Sequence, residues 1–113
     1  MVQTFLPLLK EGSRIINISS GAGQIVGGIT TWAPIYSISK TTLNAITMHL
    51  AEALKPKHIA VNAISPGWVK TDMGGSGASR TVAKGAETVT WLATEAGINL
   101  TGKLFMDKIE IHW

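Results

Sequence analysis

The sequence predicts an α/β fold in which about three parallel strands are joined by crossover helices. Two short apolar runs, Arg14-Ile-Ile-Asn-Ile-Ser19 and Ile59-Ala-Val-Asn-Ala-Ile-Ser65, have the pattern of strands buried on both faces. Segments of helical periodicity separate and follow them. Strands that alternate with helices mark a parallel sheet.

The elements follow in order. Residues 2–10 read as the end of an amphipathic helix, with Phe5, Leu6, Leu8 and Leu9 apolar and Pro7 disrupting it. Glu11-Gly12-Ser13 is a turn, and residues 14–19 form the first strand. Residues 20–34 are a glycine-rich loop closed by Pro34. In residues 35–54, Leu43, Ile46, Thr47, Leu50, Ala51 and Leu54 fall on one helical stripe. Pro56 stops that helix. Its opposite face is small and weakly polar (Thr42, Ala45, His49, Ala53), a surface suited to another helix. The second strand, residues 59–65, ends at Pro66-Gly67. A mobile loop is expected from Trp68 to Arg80. Thr81 is a suitable N-cap for a helix over Val82–Thr94. Gly97–Gly102 form a turn, Lys103–Met106 a third strand, and a polar-aromatic tail runs to Trp113.

Composition bounds the partners. The 113 residues suit one modest domain, and 10 basic against 7 acidic residues give a net charge of +3 without any basic run. Nucleic acid is therefore not an expected partner. Only 15% of residues are charged, against about 25% in typical domains. An unusual share of the surface is thus available for burial. No apolar stretch approaches the roughly 18 residues of a membrane span, and no signal peptide is recognisable. There are no cysteines, and His49, His58 and His112 are not spaced as metal ligands. A reducing, cytoplasmic location and no metal are the expectations.

The chemistry-bearing residues are few. Tyr36 and Lys40 stand one helical turn apart, so both lie on one face with the ammonium beside the phenol. An ordinary tyrosine is protonated at neutral pH, and a fixed positive charge is one of few ways to stabilise its phenolate. Such a pair alone is common by chance. Here the strand ending in Asn17-x-Ser19-Ser20 delivers a hydroxyl to the carboxyl edge of the sheet. The strand ending in Pro66-Gly67-x-Val69-x-Thr71 reaches the same edge, where open parallel sheets hold ligands. Gly21-Ala22-Gly23 with Gly27 is not a dinucleotide fingerprint. The third glycine is one residue late, and Gly27-Gly28 and Pro34 disfavour the helix that the motif must open.

Three motifs in order, Asn17-Ile-Ser-Ser20, Tyr36-Ser-Ile-Ser-Lys40 and Asn62-Ala-Ile-Ser-Pro-Gly-Trp-Val-Lys-Thr71, resemble the second half of the short-chain dehydrogenase/reductase superfamily. The resemblance covers nearly the whole chain. Arg80-Thr-Val-Ala-Lys-Gly-Ala-Glu87 and the ending Gly102-Lys-Leu-Phe-Met-Asp107 to Trp113 look more loosely like its carbonyl-reductase-like branch. The resemblance implies the C-terminal part of a Rossmann-like, doubly wound parallel sheet. It implies an NAD(P)-dependent oxidoreductase that interconverts small-molecule carbonyls and alcohols. Of NAD and NADP, the branch favours NADP. Tyr36 would be the general acid/base and also touch the cofactor, Lys40 its electrostatic partner and a ligand of the nicotinamide ribose, and Ser20 rather than Ser19 the substrate-orienting serine. Pro66-Gly67 would let the backbone pass close to the nicotinamide. The Val69 main chain and Thr71 hydroxyl would hold its carboxamide. Trp68, Met73 and the Gly74–Gly77 loop are candidates for a substrate wall and lid.

The family's glycine-rich adenosine-binding half is not in the sequence. Residues 1–113 are thus expected to be a single partial domain, the catalytic half of such a fold. The alternative reading is a truncated, inactive remnant that at most associates with other chains. Its first strand would be open on one side, which favours association. The small-residue face of helix 35–54 is the expected contact for a homo-oligomer.

Overall fold

The computed structural model describes residues 1–113. A four-stranded sheet has the order β1-β2-β3-β4, formed by β1 (Arg14–Ile18), β2 (Ala60–Ile64), β3 (Leu104–Met106) and β4 (Ile109–Ile111). The first three strands are parallel and β4 runs antiparallel to β3. Helices α1 (Val2–Phe5) and α2 (Pro34–Leu54) lie on one face of the sheet. Helix α3 (Val82–Thr94) lies on the other. Each face has its own core. Ala51, Leu54, Ile59 and Val61 pack with Leu6, Leu9, Ile15 and Leu50 on the α2 side. Ile64, Leu92, Ala96 and Phe105 pack with Ile16 and Trp91 on the α3 side, where the Trp91 and Phe105 rings meet edge to face at 5.6 Å. No helix is long and apolar enough to cross a membrane.

The helices begin and end where side-chain chemistry dictates. Pro34 opens α2 at a position where no backbone N–H is needed. A 3-10 turn over Lys55–Lys57, with Pro56 inside it, then closes on His58 in the left-handed region. The Thr81 hydroxyl accepts from the Lys84 N–H at 3.2 Å and caps α3, over the predicted residues.

Three expectations need correction. Burial on both faces holds for all of β2 but not for β1, whose Ile18 is 46% exposed. β1 has a neighbour on one side only, so its outer face is incompletely covered. The count of three strands is also short by one. The tail folds back through a two-residue turn, Asp107-Lys108, with φ of 51° and 64° at both positions. That is the geometry whose twist matches paired strands. Asp-Lys lacks the usual glycine, so the hairpin left no turn signal in the sequence.

The third correction concerns the buried face of α2. Ile46 lies outward, 46% exposed, and Leu43 is only half-buried. The buried positions are Ser37, Asn44, Thr47, Ala51 and Leu54. Polar side chains face inward here because each has a partner. Asn17 Nδ2 donates to Thr47 Oγ1 at 2.8 Å, Ser19 Oγ to Asn44 Oδ1, and Ser37 Oγ to the Ala22 carbonyl at 2.7 Å. No buried side-chain nitrogen or oxygen is left without a partner.

Asn44→Ala is therefore expected to destabilise the chain by about 1–3 kcal/mol, because it orphans the buried Ser19 hydroxyl. Ile46→Ala, at an outward position, should change stability by about 0.5 kcal/mol or less. Urea unfolding of both variants checks this, and equal losses would contradict the polar face.

Candidate active site

The turn after β1 is built against α2. Ser19 is buried and committed to Asn44. Ser20 begins a 3-10 turn over Gly21–Gly23, and its Oγ accepts from the Ala22 N–H at 3.1 Å, leaving its own proton free. Gly23 touches α2 directly. A Cβ added there would lie 2.8 Å from the Lys40 carbonyl carbon and 2.9 Å from its Cβ, so only glycine fits. The same approach lets Thr41 Oγ1 and Asn44 Nδ2 both donate to the Gly23 carbonyl at 3.1 Å. Gly21-Ala22-Gly23 thus serves as a packing turn.

Tyr36 and Lys40 project from the first turns of α2. Lys40 Nζ donates to the Ile18 carbonyl at 2.8 Å and stands 5.7 Å from the centroid of the Tyr36 ring. The ammonium therefore lies over the ring face. The hydrogen bond at Tyr36 involves only its main chain, whose carbonyl accepts from Ser39 Oγ at 2.7 Å.

The end of β2 reaches the same edge. The Gly21 N–H donates to Ser65 Oγ at 3.0 Å and ties the two strand ends together. Pro66 and Gly67 follow, with Gly67 at φ +74°. The space its side chain would take belongs to Arg80, whose Nε would lie 2.4 Å from an added Cβ. Glycine suits this position on two counts, its left-handed φ and the Arg80 side chain that fills the space beside it. Val69 forms a bridge with Arg80, and Gly85 of α3 leaves room for the Val69 side chain. Thr71 Oγ1 accepts from the Gly74 N–H at 3.1 Å and stays within its own loop, with no contact to Tyr36 or Lys40. Trp68 Nε1 donates to the Gly74 carbonyl at 2.8 Å. The loop after Trp68 is thus closed on itself by specific bonds, while Trp68 and Met73 remain exposed.

Ser37, Asn44, Arg80 and Asp107 organise this edge and were not legible as site residues. Ser37, Asn44 and Ala51 recur at one helical position, the only sequence signal of that face. Arg80 and Asp107, far apart in the chain, had none. Arg80 meets Asp107 through two bonds of 2.7 Å each, and Lys84 Nζ lies 3.6 Å from the same carboxylate. A shallow depression lined by Met48, Ala51, Glu52, Lys55, Thr101 and Gly102 lies at the far end of α2 and does not join the site.

A parallel sheet with helices on both faces and polar side chains gathered at its carboxyl edge has the arrangement of a Rossmann-like fold. A family model described as enoyl-(acyl carrier protein) reductase matches residues 1–105. Short-chain dehydrogenase anuI of Penicillium roqueforti is 35% identical over all of this chain and 52% of its own length. Carbonyl reductase [NADPH] 1 of Oryctolagus cuniculus is 40% identical over 96% of this chain and 55% of its own length. Among solved structures, the carbonyl reductase Sniffer of D. melanogaster superposes with a TM-score of 0.88 at 31% identity, over 99% of this chain and 51% of that one. The NADPH-bound carbonyl reductase from chicken fatty liver superposes with a TM-score of 0.85 at 31% identity, over the same 99% and 51%. The chain belongs to the short-chain dehydrogenase/reductase family. It spans about half the length of the curated relatives it matches.

The Arg80 hydrogen bonds, aided by the charges of Arg80 and Lys84, hold the Asp107 carboxyl down at about 2 against a partial desolvation that raises it. A depressed carboxyl contributes stability that is present above its unfolded value, near 3.9, and is lost as pH falls through the folded one. The stability gap between the natural chain and Asp107→Asn should therefore be constant from neutral pH to about 5 and close between about 4 and 2. Urea midpoints measured across that range test this, and a gap that persists undiminished at the acid end would refute it.

Proposed function

We propose that this chain carries the proton-transfer and nicotinamide-holding end of an NADP-dependent oxidoreductase that interconverts a small-molecule carbonyl and its alcohol. Family membership supports the reaction class. The names of the rabbit relative and the chicken structure, both with NADPH, support the choice of cofactor. The observation that carries the assignment of residues is the ammonium of Lys40, fixed between the Ile18 carbonyl and the Tyr36 ring.

The residues present fit a nicotinamide riboside. Lys40 has three N–H donors and spends one on Ile18, which leaves two for ribose hydroxyls. The Val69 N–H has no partner in the chain and is available to a carboxamide oxygen. The Thr71 hydroxyl, which accepts from Gly74, has only a long 3.4 Å contact for its own proton. The bound cofactor supplies the hydride. Tyr36 gives its hydroxyl proton to the carbonyl oxygen during reduction and takes it back during oxidation. Ser20, which accepts from the Ala22 N–H and keeps its own proton free, donates to the same substrate oxygen and orients it. Pro66-Gly67 would bring the backbone close to the nicotinamide, and the exposed Trp68 and Met73 would wall the substrate. The exposed small face of α2, Thr42, Ala45, His49 and Ala53, is where a second copy would pack.

Tyr36→Phe is expected to lower carbonyl turnover by roughly 10²–10⁴-fold, the usual share of a general acid. NADPH affinity should stay within about threefold, since the ring remains under Lys40. Steady-state NADPH oxidation and fluorescence titration of cofactor measure the two. Turnover retained in the variant would sink the acid/base role of Tyr36.

A further inference from the structure

We infer that Arg80 and Asp107 are positioning residues of the Pro66–Thr71 segment, setting the main-chain path along which a nicotinamide would lie. The inference rests on the function proposed above for what that segment receives. The clamp itself follows from the geometry alone.

Arg80 grips the segment twice. Its main chain holds one end, with the Lys70 N–H donating to the Arg80 carbonyl at 2.9 Å and the Arg80 N–H donating to the Trp68 carbonyl at 3.0 Å. Its side chain folds back and fills the place of a Gly67 side chain, with Cδ 2.6 Å from where that Cβ would stand. The segment is therefore held between the backbone and the guanidinium of a single residue. The guanidinium in turn has one anchor, the paired 2.7 Å bonds to Asp107, and its side chain is only 20% exposed.

Asp107 is itself fixed. It sits in the left-handed turn between β3 and β4, and the next N–H, that of Lys108, donates to Thr88 Oγ1 of α3 at 3.1 Å. A line of contacts thus runs from α3 through the hairpin turn and Arg80 to Gly67 and Val69. Gly85, against which Val69 packs, returns the line to α3. Arginine is required because a planar fork can hold two parallel bonds and lie flat under a backbone. A lysine has the charge but not the shape. A charge effect alone would survive Arg80→Lys, whereas a clamp would not.

The test is amide hydrogen exchange on the isotopically labelled chain, with NADPH titration alongside. In Arg80→Lys and Asp107→Asn, the Lys70 amide should exchange roughly tenfold faster or more, while amides of Ala60–Ile64 keep their rates. Lys103→Gln, which removes the Lys103–Glu110 ion pair across the hairpin, should leave Lys70 unchanged. NADPH should bind both clamp variants roughly tenfold more weakly, with Lys103→Gln showing no such loss. Unchanged exchange at Lys70 would overturn the inference, as would an equal rise across Ala60–Ile64, which marks general destabilisation. If the natural chain fails to bind NADPH, the proposed function falls, while Lys70 exchange still decides the clamp.

Discussion

The close approach of Gly23 to the backbone of Lys40 is the contact on which the rest of the site depends. With any side chain at Gly23, the turn after β1 would have to lift away from α2. Seated as it is, the turn offers the Ala22 and Gly23 carbonyls to Ser37, Thr41 and Asn44, and Asn44 also receives Ser19. Each such bond contributes only about 1 kcal/mol net, but leaving one buried partner unmet costs more. The network therefore acts mainly as a register device. An apolar helix face tolerates small rotations, whereas a face of matched donors and acceptors has one fit. Ser20, Tyr36 and Lys40 inherit their relative placement from that fit.

The strands, the crossover helices and the cap of α3 were legible because their signals are local. Two apolar runs ending at Ser19 and Ser65, and a threonine before Val82–Thr94, need no knowledge of the tertiary structure. The face of α2 was not legible, because polar residues on a helix read as surface unless their partners are known. Ser19 and Asn44 become partners only when the turn folds over the helix. Ile46 misled for the complementary reason, since it is apolar but faces away from the sheet. The hairpin to β4 was missed because its turn uses Asp107 and Lys108 where glycine or asparagine is usual. At the site, Tyr36, Lys40 and Ser20 stood out through type and spacing. Arg80 and Asp107 are tied to the site only through the path of the backbone.

The two faces of the sheet contribute different parts to one edge. From the α1/α2 side come the Ser20 hydroxyl and the Lys40 ammonium, held by hydrogen bonds to Ala22 and Ile18, and the Tyr36 ring beneath that ammonium. From the α3 side come the Pro66–Thr71 backbone and its support, fixed by Arg80 and by the contact of Val69 with Gly85. The Gly21 N–H to Ser65 Oγ bond joins them. This division fits the general rule that open α/β sheets place function at the carboxyl ends of their strands. A groove there has a rigid floor of strand ends and walls that vary with the loops.

The sparse charge of the chain has a counterpart at this edge. Ile25, Val26, Ile29, Trp32, Ile35 and Ile38 are exposed, and all lie in the loop or the first turns that lead into Tyr36 and Lys40. Trp68 and Met73 are exposed on the loop that follows β2. Single exposed apolar residues need no explanation, but a run of them in one stretch of chain has an electrostatic consequence for any charge it comes to cover. Where such side chains close around a ligand and displace water, the local dielectric falls. At an effective value near 20, charges attract roughly fourfold more strongly than in bulk water. There a single lysine acts further than it would on an open, hydrated surface. A more highly charged rim would hold water and counter-ions there and screen it.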